Sequence, residues 1–318
     1  MKELARVWDS EILPVLADLE RERLALVSQR HRFLAIAVVL VAATFGLPSL
    51  GVPFMAALVP AALIGAYLMW RERTSRAAFA RGFKTRALGA LLAAIDPSLR
   101  IRPDSHVPET TVERARFFVG GFDYFSGEDL VTGSMGDTAI YFSEVLAQRR
   151  SNRPASSGMR NTRKTTVFDG VVFVADFNKR FRSRTVLLPD VAEATLGGLG
   201  RFFQKLNFVR DDLIRMEDPE LERYFAVYGD DETETRYLLT PDFMSRLVRF
   251  RERVGPMRVS FVDGSMMMAI PMSRDLLEPS PGRSLLDRGT FQTHWDDLNF
   301  FVGIVGDLDL NTRIWTKE

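Results

Sequence analysis

Cysteine is absent from this chain of 318 residues, and histidine is nearly so, with three. Without cysteine there is no disulfide, no thiolate zinc site, no iron–sulfur cluster and no cysteine nucleophile. His31, His106 and His294 stand too far apart in the chain to show metal-ligand spacing. The H-E-x-x-H helix, the Walker A loop, G-x-G-x-x-G after a strand and the G-x-S-x-G elbow are all missing. The inventory therefore calls for no cofactor, no metal and no catalytic residue. A surplus of one charge sign is missing too: 42 Lys+Arg stand against 41 Asp+Glu, for a net charge of +1. That balance excludes the strong positive field of a dedicated nucleic-acid binder.

The most informative absence is local. From Phe33 to Trp70 the chain carries no Asp, Glu, Lys or Arg. This excludes a plain soluble protein, and it excludes a secretory signal peptide because 32 charged and amphipathic residues come first. As one helix the uncharged run would extend about 57 Å, nearly twice the ~30 Å hydrocarbon core of a bilayer. Pro48-Ser-Leu-Gly-Val-Pro53 interrupts it, and two prolines with a glycine break a helix. The run predicts a transmembrane hairpin of two helices, at about residues 33–70. A buried hairpin in a soluble core is the alternative.

Charge at the flanks predicts its orientation. Arg30, His31 and Arg32 precede the first arm, and Arg71, Arg73, Arg76, Arg81, Lys84 and Arg86 follow the second, while the turn is uncharged. By the positive-inside rule both termini are expected in the cytoplasm, with residues 48–53 on the far side. Membrane lipid is thus one expected partner. Gly46, Ala57, Ala61, Ala62, Gly65 and Ala66 permit close helix contact, within the hairpin or in self-association.

Outside the hairpin, Leu4, Trp8, Ile12, Leu16, Leu19 and Leu26 recur at helical spacing before it, and Ala78, Phe79, Phe83, Leu88, Leu91, Leu92 and Ile95 after it. Residues 1–96 are accordingly expected to form an amphipathic helix, the hairpin and a juxtamembrane helix. Residues 97–318 are expected to form a cytoplasmic domain of short antiparallel strands and a few helices, α+β in class. Its strand signals are Asp129–Thr132, Thr138–Leu146, Thr166–Ala175, Thr185–Leu188, Tyr224–Tyr228, Arg236–Leu239, Met257–Val262 and Ser265–Ile270. Asp263-Gly264 between the last two suits a type I′ hairpin turn. Helices are expected over Thr240–Phe250, with Thr as cap and Pro at the first position, and over Thr293–Val305.

Two groups of side chains are candidates for function. The stretch from Arg149 to Lys164 carries Arg149, Arg150, Arg153, Arg160, Arg163 and Lys164 and no acid. Its composition predicts a mobile hairpin tip, either solvated or in contact with anionic lipid headgroups or an acidic partner. Carboxylates form the second group: Asp123, Glu128, Asp129 and Asp137; Asp230, Asp231, Glu232 and Glu234; Asp296 and Asp297. Glu128 and Asp129 are the speculative pair for acid–base work or cation binding, and solvated surface is the alternative. Met266-Met-Met268 reads, at period two, as Met266 and Met268 facing one core and Met267 the other.

Several of these stretches form a familiar order. Gly127-Glu-Asp-Leu-Val-Thr-Gly133, Phe142-Ser-Glu-Val145, Val167-Phe-Asp-Gly170, Thr235-Arg-Tyr-Leu-Leu-Thr-Pro-Asp-Phe-Met-Ser-Arg-Leu247 and Leu308-Asp-Leu-Asn-Thr-Arg-Ile-Trp315 together resemble the uncharacterised bacterial membrane family named domain of unknown function 3137. The resemblance implies a bacterial inner-membrane protein with a cytoplasmic domain. It carries over no activity and no catalytic residue. The expected function is a membrane-tethered binding or scaffold module with a protein partner or self-association, and the alternative is a membrane-associated enzyme using carboxylates.

Overall fold

The computed structural model describes residues 4–118, 120–151, 163–189, 212–279 and 282–311. The chain divides into two units: residues 1–95 with 277–295, and residues 96–276 with 296–318.

The first unit is helical. Helix α1 runs Leu4–Leu50 and α2 runs Phe54–Ile95, both long and apolar enough to cross a membrane. The expected turn lies between them: Gly51 adopts φ +86°, donates its N–H to the Pro48 carbonyl at 3.1 Å, and Pro53 leads into α2. Away from the uncharged run, the predicted amphipathic faces are buried. Leu4, Trp8, Ile12, Leu16 and Leu19 of α1, and Phe79, Phe83, Leu88, Leu91 and Leu92 of α2, are withdrawn from water. Phe291 joins this core from the returning chain, with its ring 5.9 Å from Trp8 and 5.8 Å from Phe83. A π turn interrupts each helix, at Trp8–Ile12 and at Lys84–Leu88. The second buries Lys84, whose ammonium pairs with Glu278.

Within the uncharged run the pattern reverses. Val38 is 69% exposed, Phe45 73%, Leu50 79% and Leu63 67%. A hairpin buried in a soluble core would hide these side chains.

The second unit is built on one nine-stranded antiparallel sheet, ordered β1-β2-β3-β4-β9-β8-β5-β7-β6. The strands are β1 (Arg100–Arg102), β2 (Tyr124–Met135), β3 (Thr138–Ser151), β4 (Arg163–Asp176), β5 (Thr185–Pro189), β6 (Asp212–Ile214), β7 (Phe225–Gly229), β8 (Arg258–Val262) and β9 (Ser265–Pro271). The described helices, continuing the numbering, are α3 (Glu109–Ala115), α4 (Pro219–Tyr224), α5 (Glu232–Leu238), α6 (Pro241–Val254) and α7 (Arg288–Asp307). The α+β class is as expected. The strands are not uniformly short, since β3 and β4 have 14 residues each.

Both faces of the central strands are covered. Val145 and Ala147 of β3, Val172 and Val174 of β4 and Met267 of β9 share one core with Val112 and Ala115 of α3. The opposite parity forms the other: Phe142 of β3 stacks on Phe173 of β4 and, at 5.1 Å, on Phe301 of α7. Met266, Met267 and Met268 are all buried, as alternation between two covered faces requires. The Asp263-Gly264 turn has φ of 52° and 74°, the paired left-handed conformation of type I′. Thr240 caps α6, accepting from the Phe243 N–H at 3.4 Å.

One expected strand is a helix. Arg236–Leu239 lies within and after α5, because the Asp231 carboxylate caps that helix by accepting the Glu234 N–H at 2.9 Å. The cap and the acidic first turn outweigh the β-forming side chains of Tyr237 and Leu238.

Candidate functional site: a basic cavity at the end of the uncharged run

A cavity of about 410 Å³ opens in the helical unit where the uncharged run ends. Helix α1 contributes Arg23, Leu26, Val27, Gln29, Arg30, His31 and Leu34 to it; α2 contributes Glu72, Ser75 and Arg76. Helical geometry puts them there. Arg23, Val27, Arg30 and Leu34 follow one another at three- and four-residue steps, and Ser75 and Arg76 lie three and four residues after Glu72. Arg30 and Glu72 lie within one turn of Phe33 and Trp70, the ends of the uncharged run. The cavity thus adjoins both apolar helix surface and charge.

Its polar groups are ordered from behind. Glu20, one turn before Arg23, accepts from Arg23 Nε at 2.8 Å and Nη2 at 2.7 Å. It also accepts the Leu285 N–H at 2.9 Å and the Ser284 hydroxyl at 3.0 Å. Arg23 above all, with these two further donors, holds the Glu20 carboxyl down at about 2, against the opposing effect of burial. Arg76 reaches Glu72 at 2.6 Å, and Gln29 Nε2 meets Ser75 Oγ at 3.5 Å across the two helices. Arg30 and His31 are exposed and have no ion pair among the described residues. Three arginines and a histidine thus face a single lining acid.

In the sequence Arg30, His31 and Arg76 stand out only as charge flanking the uncharged run, and Arg23, Gln29, Glu72 and Ser75 do not stand out. The helical periodicity of polar residues was the available signal. That two such faces confront each other depends on the packing of α1 on α2.

The six basic residues of the β3–β4 connection separate. Arg149 and Arg150 lie on β3, Arg163 and Lys164 on β4, and Arg153 and Arg160 lie outside the described residues. Arg149 Nε donates to the Gly121 carbonyl at 3.1 Å. Arg150 donates through its backbone N–H to Asp123 and through its guanidinium to the Tyr124 hydroxyl at 2.8 Å. The Lys164 ammonium sits 4.0 Å from the centre of the same Tyr124 ring. Three of the six are therefore held at strand ends, Arg150 and Lys164 on Tyr124 and Arg149 on Gly121, and the expectation of a mobile tip does not describe them. Strand pairing extends past the expected ends, Thr166 and Leu146, and carries them with it.

The carboxylates mostly serve local structure. Asp231 caps α5, and Asp230 faces Arg184. Glu234 accepts the Ser183 N–H at 2.7 Å, and its contacts with Ser183 and the Arg182 N–H lower its pKa. Asp297 receives Arg274 at 2.5 Å. Glu128 is exposed and is the last paired residue before a register shift in β2, and the buried Asp129 lies within that shift. Asp129 there has φ +60°, and its N–H bonds the Pro103 carbonyl at 3.0 Å.

Residues 166–310 match the model of a family described as "Protein of unknown function (DUF3137)". The resemblance drawn from motifs holds over that stretch, from β4 to the segment after α7. No curated protein matches the chain. Among solved structures, the crystal structure of the mycobacterial trehalose monomycolate transport factor A, TtfA, aligns over 71% of this chain and 96% of its own, at 8% identity and a TM-score of 0.35. At that score the likeness assigns neither fold nor activity to this chain.

Proposed function

We propose that this chain is a bacterial inner-membrane protein whose helical hairpin crosses the bilayer twice, and whose sheet unit is a cytoplasmic binding or scaffold module. One observation carries the reading: an uncharged pair of helices leaves its large apolar side chains in the open, although their neighbours on either side bury theirs. In water that exposure is unfavourable by about 25 cal/mol per Å², whereas in lipid it is satisfied. The basic flanks and uncharged turn favour cytoplasmic termini. The ordered cations around Tyr124 favour an acidic protein partner for the sheet unit, because a fixed cluster loses less side-chain entropy on binding than a mobile one.

Alkaline carbonate extraction of the full chain from bacterial membranes, with reporter fusions after residue 50 and at the carboxyl end, tests the proposal. Retention in the pellet, a cytoplasmic carboxyl end and a periplasmic residue 50 are expected. Release into the supernatant would refute anchoring, and reporters on the opposite sides would refute the orientation.

A membrane-associated enzyme is the second reading, favoured by Asp129, buried in a left-handed conformation at a β-bulge beside Glu128; such strain and bulges cluster at active sites. It requires a hydrolytic or lyase activity of the full chain that Glu128→Gln abolishes without changing the melting midpoint.

A further inference from the structure

We propose that the juxtamembrane cavity is a binding site for the phosphodiester headgroup of an anionic phospholipid. The site rests on the anchoring reading above, and names a ligand for it.

Volume, lining and position each point to this ligand. About 410 Å³ lies within the range of small-molecule sites and matches a headgroup better than a whole lipid. The lining is divided by chemistry: Arg30 and Arg76 supply cationic donors, Gln29, His31 and Ser75 further hydrogen-bonding groups, and Leu26, Val27 and Leu34 an apolar wall. A soluble phosphate has no use for that wall. A phospholipid does, since its glycerol and first methylenes follow the phosphate. The uncharged helix surface beginning at Phe33 continues the wall in the direction the acyl chains would take.

The charges are also arranged for an incoming anion. Arg23 is neutralised from behind by Glu20, and Arg76 is held by Glu72, so both guanidiniums are fixed before anything binds. Among the lining guanidiniums, Arg30 has no ion pair among the described residues, and His31 stands beside it at the cavity wall with a ring N–H to donate. Guanidinium groups bind phosphate oxygens in pairs of parallel hydrogen bonds, and a fixed guanidinium loses little freedom in doing so. The single acid, Glu72, is engaged by Arg76 at 2.6 Å, which lessens its repulsion of a phosphate.

The test uses the full chain in dodecyl maltoside and follows its thermal unfolding by tryptophan fluorescence. The probes are dioctanoyl phosphatidylglycerol, dioctanoyl phosphatidylcholine and glycerol 3-phosphate. Phosphatidylglycerol should raise the midpoint saturably, and the double variant Arg30→Gln, His31→Gln should need roughly tenfold more of it, the loss expected for one charge-assisted contact. Arg73→Gln, on the same basic flank but outside the cavity, should respond like the wild type.

Equal weakening by Arg73→Gln would overturn the proposal in favour of diffuse surface charge. An equal response to phosphatidylcholine would overturn the requirement for an anion. Glycerol 3-phosphate acting at the same concentration would make the ligand a soluble phosphate and overturn the lipid. Because binding is read in detergent, its failure is distinct from failure of anchoring, which carbonate extraction reports alone.

Discussion

Glu20 and Arg23 form a closed ion pair one helical turn apart on α1, with both side chains about nine-tenths withdrawn from water. The carboxylate is shared: two of its partners belong to Arg23, and two come from Ser284 and Leu285, more than 260 positions along the chain. The pair therefore fastens the returning segment to the helical hairpin, and it sets the floor of the cavity in which Arg23 takes part.

Glu20→Ala should destabilise the helical unit strongly, by roughly 3–5 kcal/mol, because it removes the charge that pairs with a buried guanidinium and the acceptor of the Leu285 amide. Chemical denaturation of the full chain in detergent checks the size. A loss below about 1 kcal/mol would mean that water replaces the carboxylate.

The same carboxyl predicts a pH dependence. Its folded pKa of about 2 lies below the ordinary value of 4.5. A depressed acid contributes stability that is complete above its unfolded pKa and is lost as pH falls through its folded one. The wild type should weaken between about pH 4.5 and 2, and Glu20→Gln should show a shallower decline over that window. Parallel curves would assign the acid sensitivity to other groups.

Gly170→Ala should destabilise the sheet unit. A Cβ there would lie 2.3 Å from the Ile270 carbonyl oxygen and 2.7 Å from the Met272 nitrogen, at φ +155°. Both obstacles are backbone of the partner strand and the residue after it, so relief requires the β4–β9 pair to separate. Overpacking of this kind costs roughly 1–3 kcal/mol before the dihedral strain is added. A melting midpoint within a degree of wild type would show that the strands part easily.

The carboxyl end should be part of the fold. Leu308 and Leu310 are buried, and the Leu310 carbonyl accepts from Asn178 Nδ2 at 3.0 Å and Thr138 Oγ1 at 3.2 Å. Deleting residues 308–318 should cost several kcal/mol, and Leu310→Ala alone about 2–5 kcal/mol. An unchanged midpoint on deletion would make these residues a docking segment. Ile314 and Trp315 lie outside the described residues.

Changing Arg149, Arg150, Arg153, Arg160, Arg163 and Lys164 to serine should preserve the fold, with a midpoint shift of a few degrees, since the described contacts of this group are exposed ones. The variant should lose retention on an acidic polypeptide resin that wild type shows at low salt. A collapse in stability would make the cluster structural.

Sequence alone determined whatever is decided by neighbours along the chain. The uncharged run and its Pro-Gly interruption specify two apolar helices with a turn, since Gly51 at positive φ ends the first and Pro53, just before Phe54, opens the second. Thr240 before Pro241 specifies the start of α6, Asp263-Gly264 its hairpin, and Trp295, Leu298, Phe301, Val302 and Val305 one face of α7. Each signal lies within a turn or two of the residue it governs.

Tertiary structure decided the rest. Strands β1 and β6 have three residues each, too few for any period to register, and they exist because β2 and β7 offer them an edge. The helix containing Arg236–Leu238 has a local cap in Asp231, but what seats it is the buried Thr235 hydroxyl, 2.8 Å from Thr185 Oγ1 of β5, fifty positions away. The cavity follows the same logic. Arg30 and His31 are legible as charge, but a site needs Glu72, Ser75 and Arg76 across from them and Glu20 holding Arg23 in place. Those distances arise only when α1 packs on α2 and residues 284 and 285 return to close the unit.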